Sequence, residues 1–284
     1  MEKMQEIIGK NIEKARIIRK VSVAELAARL GISKNKLKKY ESGQEFPPDE
    51  MIADITALLK ISLNFILFVP QQKKSVIRLK TSEISERDKN SVIELAKYKA
   101  TLIESFISNE MAPSFPSIAE DISLNSADED GKKVAVCCLS YKNLADFLKT
   151  NGLWVVRLPA DTALFRGLFI RENETNIIMI PENYIKNNDE LVRIIAHEFC
   201  HAIIFQKQQK AHTAMSIQEE EDFCSKFSKS FAETYLKAQN FEIGNIDFLK
   251  EKVIDSWEND KISTSLAAEL LGISEEAFRE SFRK

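Results

Sequence analysis

Two histidines and a glutamate near residue 200 have the types and spacing that metal-dependent hydrolysis requires. His197, Glu198 and His201 form an H-E-x-x-H pattern in a chain with 3 histidines. Residues four apart lie on one face of a helix, so both imidazoles can bind one zinc ion. Glu198 can then accept a proton from water that the metal activates. The pattern predicts a hydrolytic metal centre, and the simpler alternative is a core helix whose histidines only form hydrogen bonds.

The residues around this pattern predict the helix that must carry it. Asn188 or Asp189 can cap the helix, and apolar residues then recur at helical spacing as far as Phe205. One face of the helix is therefore expected to pack into a core and to hold the histidines rigidly.

A hydrolytic zinc ion needs a third protein ligand, and spacing leaves four acids open for this role. They begin a second amphipathic helix and are Glu219, Glu220, Glu221 and Asp222. Acids in a first turn also stabilise the helix dipole, which is the simpler explanation for some of them. Two histidines and a carboxylate suit Zn²⁺, and Mn²⁺ or Fe²⁺ fits the same ligands. A structural zinc with four protein ligands, with Cys224 or His212 added, is a further alternative.

The stretches ELVRIIAHEFCHAII and EEDFCSKFSKSF resemble the ImmA/IrrE family of bacterial metallopeptidases, and the resemblance extends upstream to residue 144. It implies a zincin-like minimal metallopeptidase domain in which His197, His201 and Glu221 bind zinc and Glu198 is the general base. The Leu-x-Pro that usually ends the second signature is absent after Phe231.

Short apolar segments upstream of the pattern predict a small antiparallel sheet beside the helix. They are residues 154–158, 167–171 and 176–180, the last two separated by a polar turn. An edge strand of this sheet could hold an extended substrate peptide through backbone hydrogen bonds. Peptide hydrolysis also needs a donor for the oxyanion, and His212, Tyr184 and Tyr235 are the candidates.

The N-terminal segment VSVAELAARLGISKNKLKKYESG predicts two short helices joined by a glycine turn. It resembles the XRE family of DNA-binding domains, although Val23 replaces the glutamine that this family commonly has. Residues 1–48 hold 11 Lys and Arg against 6 Asp and Glu, whereas the whole chain has a net charge of −3. The second helix would enter the major groove, and dimerisation is expected because such domains bind paired half-sites. The expected DNA contacts are Ser33, Lys34, Asn35, Lys36, Lys38 and Lys39. The alternative is a protein-interaction or dimerisation module.

The predicted fold is α+β and mostly helical, with four parts. Residues 1–69 form the all-α helix-turn-helix domain, 70–131 a helical connector that begins as a polar loop, 132–240 the peptidase domain and 241–284 a C-terminal helical element. The last part repeats the helix-glycine-helix pattern without a basic surface, which favours packing or docking. No apolar run reaches about 18 residues, no signal peptide is expected, and four scattered cysteines suit the cytoplasm.

Together these patterns predict a zinc-dependent endopeptidase fused to a repressor-like DNA-binding domain. The resemblance implies that its protein substrate is a transcriptional repressor cleaved in a stress or mobile-element response. The alternative is a DNA-binding regulator or antitoxin-like protein whose peptidase fold binds a partner and cleaves little.

Overall fold

The structure is a computed structural model, and it describes residues 2–68, 76–79, 86–107, 118–158, 165–172, 175–181, 185–211, 215–238 and 241–282. Over these residues the chain is mostly helical and contains one four-stranded sheet, which confirms the predicted class. In the part of the chain so described, no helix is both long enough and apolar enough to cross a bilayer.

The N-terminal region contains the predicted helix-glycine-helix unit. Ser22 and Ser33 cap its two helices by accepting hydrogen bonds from backbone amides three residues ahead. Gly31 lies between them with φ +66°, a left-handed conformation that glycine adopts without strain. The helices of this region are α1 (Glu2–Ile18), α2 (Val23–Arg29), α3 (Lys34–Glu41), α4 (Asp49–Leu59) and α5 (Leu63–Leu67).

A buried ion pair joins α1 to α3. Arg16 Nε lies 2.5 Å from Glu41 Oε1, and Arg16 Nη2 lies 3.0 Å from Glu41 Oε2. Apolar side chains from all five helices form one core in this region, among them Ile12, Leu26 and Leu37. Because two parallel hydrogen bonds fix the relative orientation of both groups, the outer face of α3 is held on a rigid support.

The connector supplies a strand that the sequence analysis did not predict. Its elements are β1 (Val76–Leu79), α6 (Glu86–Ile107) and α7 (Ile118–Asp121). The prediction of a loop and helices over residues 70–131 is therefore wrong at β1. This strand is only four residues long and depends on backbone pairing with a partner far along the chain, which local sequence patterns do not report.

The sheet is mixed, and the prediction of an antiparallel sheet is wrong. Its other strands are β2 (Leu153–Leu158), β3 (Leu168–Glu172) and β4 (Thr175–Pro181), and the spatial order is β1-β3-β4-β2. β3 pairs antiparallel with β1 and β4, whereas β2 runs parallel to β4. The three predicted strand segments are correct, but the chain places β2 outside β4, where it has the same direction.

Four helices build the layer beside the sheet. They are α8 (Ala127–Cys138), α9 (Leu144–Thr150), α10 (Asn188–Ala211) and α11 (Ile217–Leu236). Of these, α9 and α10 lie against the strands, α11 packs on α10, and α8 packs on α11. The H-E-x-x-H residues lie in α10. A Cβ on Gly131 of α8 would lie 2.4 Å from the carbonyl oxygen of Phe227, so α8 and α11 approach closely at this glycine. The buried apolar residues of these helices and of the sheet form a single core.

The C-terminal helices α12 (Phe248–Glu258), α13 (Thr264–Leu271) and α14 (Glu275–Ser281) share a second core with α6 and the sheet. Glu269 of α13 is buried, and its carboxylate accepts hydrogen bonds from Ser62, Asn64 and Tyr98. Lys99 donates to the Glu269 carbonyl, and burial lowers the Lys99 pKa to about 8. This cluster attaches the C-terminal element to the N-terminal domain and to α6.

Candidate metal centre and DNA-binding surface

The helix α10 carries the H-E-x-x-H residues and begins at Asn188, so the prediction of Asn188 or Asp189 as its cap is wrong by one or two residues. Asn187 Oδ1 accepts a hydrogen bond from the Glu190 amide at 2.9 Å, which makes Asn187 the cap. Ten residues on, His197 and His201 lie on one face, and His201 is fully enclosed whereas His197 is partly open. The centre is therefore held by the core on one side and reachable from the other.

His197, His201 and Glu221 converge on one point. His197 Nε2 and His201 Nε2 are 3.2 Å apart, and the carboxylate oxygens of Glu221 lie 3.4 Å from the first and 3.3 Å from the second. All of their ligand atoms fall within 4.8 Å of one another. Two imidazole nitrogens this close need a proton or a cation between their lone pairs. The donor set and its convergence thus fit a metal ion held by two histidines and one carboxylate.

Two other acids at the start of α11 form hydrogen bonds within that helix and its cap. Glu219 forms a capping box with Ser216, and the Asp222 carboxylate accepts a hydrogen bond from Gln218 at 2.8 Å. Glu219 therefore fits the simpler explanation of an acidic first turn, whereas Asp222 lies beyond that turn and is exposed. Of the four acids that spacing left open, Glu221 is the one that reaches both histidines.

Glu220 contacts the far side of His201. Its Oε1 lies 2.8 Å from His201 Nδ1, and Arg78 Nε lies 2.7 Å from the same oxygen. Spacing left Glu220 open as a metal ligand or as a first-turn acid, and no sequence pattern pointed to Arg78. No local signal marks Arg78, because β1 brings it to the centre from 142 residues before Glu220.

The carboxylate of Glu198 is buried beside the two histidines. A Cβ on Gly167 would lie 2.6 Å from Glu198 Oε1, so the backbone before β3 passes directly over this carboxylate. Among the described residues, Glu198 Oε2 has no hydrogen-bond partner. Burial raises the pKa of Glu198, against the opposing effect of the histidines. A carboxylate so placed can accept a proton near neutral pH.

Within the centre, the pKa values of Glu221 and His201 are shifted in opposite directions. Burial alone would raise the pKa of Glu221, but its hydrogen bonds with His197 and His201 outweigh burial and lower it. Burial alone would lower the pKa of His201, but its hydrogen bonds with Cys224, Glu220 and Glu221 raise it well above the ordinary value. The pocket therefore favours a positive charge next to the carboxylates, as a cation site does.

Cys224 and Tyr235 both lie apart from the point of convergence. Cys224 Sγ lies 3.5 Å from His201 Nδ1, the nitrogen that points away from Glu221, so this thiol is on the wrong side to be a fourth ligand. Tyr235 is buried and donates its hydroxyl hydrogen to the Glu242 carbonyl at 2.5 Å. His212 and Tyr184 lie outside the described residues.

The residues expected to contact DNA lie along α3. Lys34, Asn35, Lys38 and Lys39 are exposed, and Ser33 caps the helix by accepting from the Lys36 amide at 3.1 Å. Lys36 differs, because its ammonium pairs with Glu45 and lies 5.4 Å from the centre of the Tyr40 ring. The outer face of α3 thus presents three lysines and an asparagine, with Lys36 engaged within the domain.

Comparison with known proteins identifies one part of the chain. Residues 9–68 match the family model described as a helix-turn-helix domain. No curated protein and no solved structure matches the chain. Because helix-turn-helix domains place their second helix in the major groove, the match supports DNA binding by the N-terminal domain. The matched residues end before β1 and do not include the candidate metal centre.

Proposed function

We propose that the protein is a DNA-binding regulator with a zinc-dependent endopeptidase centre, and that its substrate is a transcriptional repressor or partner protein. The observation that carries the proposal is the convergence of His197, His201 and Glu221 within 4.8 Å, with the buried Glu198 beside them. A structural zinc would be expected to have four protein ligands, whereas the group found among the described residues has three.

Each residue of the centre has a distinct role in this proposal. His197, His201 and Glu221 would hold the ion, with Mn²⁺ or Fe²⁺ as the alternatives to Zn²⁺. The bound ion supplies Lewis acidity toward water and the scissile carbonyl. Glu198 accepts the proton from the attacking water and delivers it to the leaving amine, as its burial and raised pKa favour.

The sheet provides a surface for an extended substrate. β1 is an edge strand, and Arg78 of this strand contacts Glu220 next to His201, so this edge runs beside the centre. Among the described strands none lies beyond β1, and an added peptide strand would pair with that side of β1 through its backbone. The helix-turn-helix domain, in turn, would bring the centre to proteins bound at the same DNA.

Metal content of the purified protein tests the proposed centre. We expect about one zinc per chain in the wild type and in Glu198→Gln, and loss of the ion in His197→Ala and Glu221→Ala. Glu219→Ala is the matched control, because this neighbouring acid only caps α11, and it should keep the ion. No zinc in the wild type, even after zinc is supplied, would overturn the centre.

Proteolysis needs its own test, because a metal can also serve a binding module. Protein N termini would be compared in cells expressing the wild type or Glu198→Gln. New N termini that require Glu198 would identify the substrate and the cleaved bond. If zinc is bound but no N terminus depends on Glu198, the alternative of a regulator that binds its partner without cleaving it is the better one.

A further inference from the structure

We propose that Arg78 and Glu220 are positioning residues that orient His201 for metal binding, so that the strand β1 forms part of the metal centre. The proposal rests on the function proposed above and extends it beyond the H-E-x-x-H helix. Neither residue faces the point where the ion would lie. Both act through His201.

The contact between Glu220 and His201 fixes which ring nitrogen can bind the ion. Glu220 Oε1 lies 2.8 Å from His201 Nδ1, while His201 Nε2 points toward His197 and Glu221. A carboxylate at Nδ1 accepts the ring proton there, which leaves the Nε2 lone pair for the metal. The same contact stops rotation of the imidazole ring and makes Nε2 a stronger electron-pair donor to the metal.

Arg78 determines where the Glu220 carboxylate points. Its Nε lies 2.7 Å from the Glu220 oxygen that contacts His201, and Glu220 itself is 5% exposed. Glu220 and Glu221 are adjacent on α11, and two unpaired carboxylates beside one another would repel. The guanidinium compensates one of these charges, so that Glu220 stays at Nδ1 while Glu221 remains available to the ion.

The sheet holds Arg78 in register with the rest of the centre. Arg78 of β1 pairs with Phe169 of β3, and the backbone of Phe169 lies close enough to the Glu198 carboxylate to lower its pKa slightly against burial. The residue pair Arg78–Phe169 in the sheet thus lies next to two residues of the centre. Phe169 is close to Glu198, and Arg78 acts on His201 through Glu220. Local motion of β1 would loosen His201 without changing any ligand.

The test is the zinc dissociation constant, measured by competition with a chromophoric chelator. Glu220→Gln and Arg78→Met should each weaken zinc binding by about 10-fold or more, the range known for lost outer partners of metal ligands. Arg78→Lys should restore part of the affinity, because it keeps the charge. The matched control is Arg157→Met, since Arg157 pairs with Asp247 from the opposite edge strand at 3.1 Å and should leave zinc affinity unchanged.

Thermal unfolding of the metal-free variants separates positioning from folding. A variant that unfolds at the wild-type temperature and yet binds zinc weakly supports the proposal. If Arg78→Met fails to fold, Arg78→Lys and Glu220→Gln decide the question. Wild-type zinc affinity in folded Glu220→Gln and in either Arg78 variant would overturn this inference and leave the proposed centre intact. Absence of zinc binding by the wild type would instead remove the proposed function itself.

Discussion

The chain contains one local turn twice, and its two copies have different surroundings. In each copy a capped helix ends at a left-handed glycine, an isoleucine follows, and a serine caps the next helix. Even the backbone hydrogen bond that closes the turn has the same length, from Ile32 to Ala27 and from Ile273 to Ala268, each 3.0 Å. The first copy spans residues 22–41 and the second residues 263–281.

The differences lie on the outer faces of the two copies. Exposed Lys34 and Asn35 in the first copy correspond to exposed Glu275 and Glu276 in the second. Exposed Ala28 corresponds to Glu269, which is buried against the N-terminal domain and α6. Glycine and serine therefore specify the turn, whereas the side chains around it decide between a DNA-facing surface and a docking element.

The largest expected effect comes from removing the docking carboxylate. Glu269→Ala leaves Tyr98, Asn64 and Ser62 without their buried acceptor, and we expect a loss of about 3 kcal/mol or more in the free energy of unfolding. Urea denaturation followed by tryptophan fluorescence measures it, because Trp257, one of the 2 tryptophans, packs against Phe278 of the second copy. Exposed Glu276→Ala is the control and should change stability by less than about 0.5 kcal/mol. Equal effects would show that Glu269 does not dock.

The second prediction concerns the charge on the first copy. The double variant Lys38→Gln, Lys39→Gln should weaken binding to a labelled 30-base-pair duplex and lower the salt dependence of binding by about two units of slope, because each lysine is expected to contact one phosphate. Equilibrium fluorescence anisotropy at several salt concentrations measures both. The control is Arg279→Gln in the second copy, at the position equivalent to Lys38. An unchanged salt slope in the double variant would contradict a DNA contact through this face.

The glycines of the two copies should respond alike. Gly31 and Gly272 have φ of +66° and +74°, and a Cβ at Gly31 would meet no other atom within 4 Å. Gly31→Ala should therefore cost about 1–2 kcal/mol from backbone strain alone, and Gly272→Ala a similar amount. Chemical denaturation gives both values. A much larger cost at Gly272 would mean that the second turn is also confined by packing.

The smallest expected effect is the loss of a serine cap. Ser33→Ala and Ser274→Ala each remove one hydrogen bond of 3.1 Å to a backbone amide, and each should reduce stability by about 1 kcal/mol. Replacement by Asp, which also caps helices, should retain most of the stability. The melting temperatures of the four variants give the comparison. A loss of stability in only one of the two Ser→Ala variants would show that the two turns are not equivalent.

The same contrast explains which features the sequence could predict. Helix caps, the glycine turns and the face shared by His197 and His201 depend on residues a few positions apart, so their patterns are visible locally. Glu221 was distinguished from its neighbours by a family resemblance, because spacing alone allowed four acids. β1, its Arg78 and the parallel direction of β2 depend on pairing between distant segments. Local strand propensity does not indicate which segments pair or in which direction, so the sheet was wrongly predicted as antiparallel.

The separation of Arg78 from Glu220 has a consequence for synthesis of the chain. The two residues are 142 positions apart, and the helix-turn-helix domain lies entirely before both. During translation that domain emerges from the ribosome and can fold while β1 still lacks its partner strand β3. Arg78 therefore has neither its partner strand β3 nor its ion-pair partner Glu220 of α11 until those segments have been synthesised. Nascent chains should therefore acquire a folded DNA-binding domain before they can retain a metal ion.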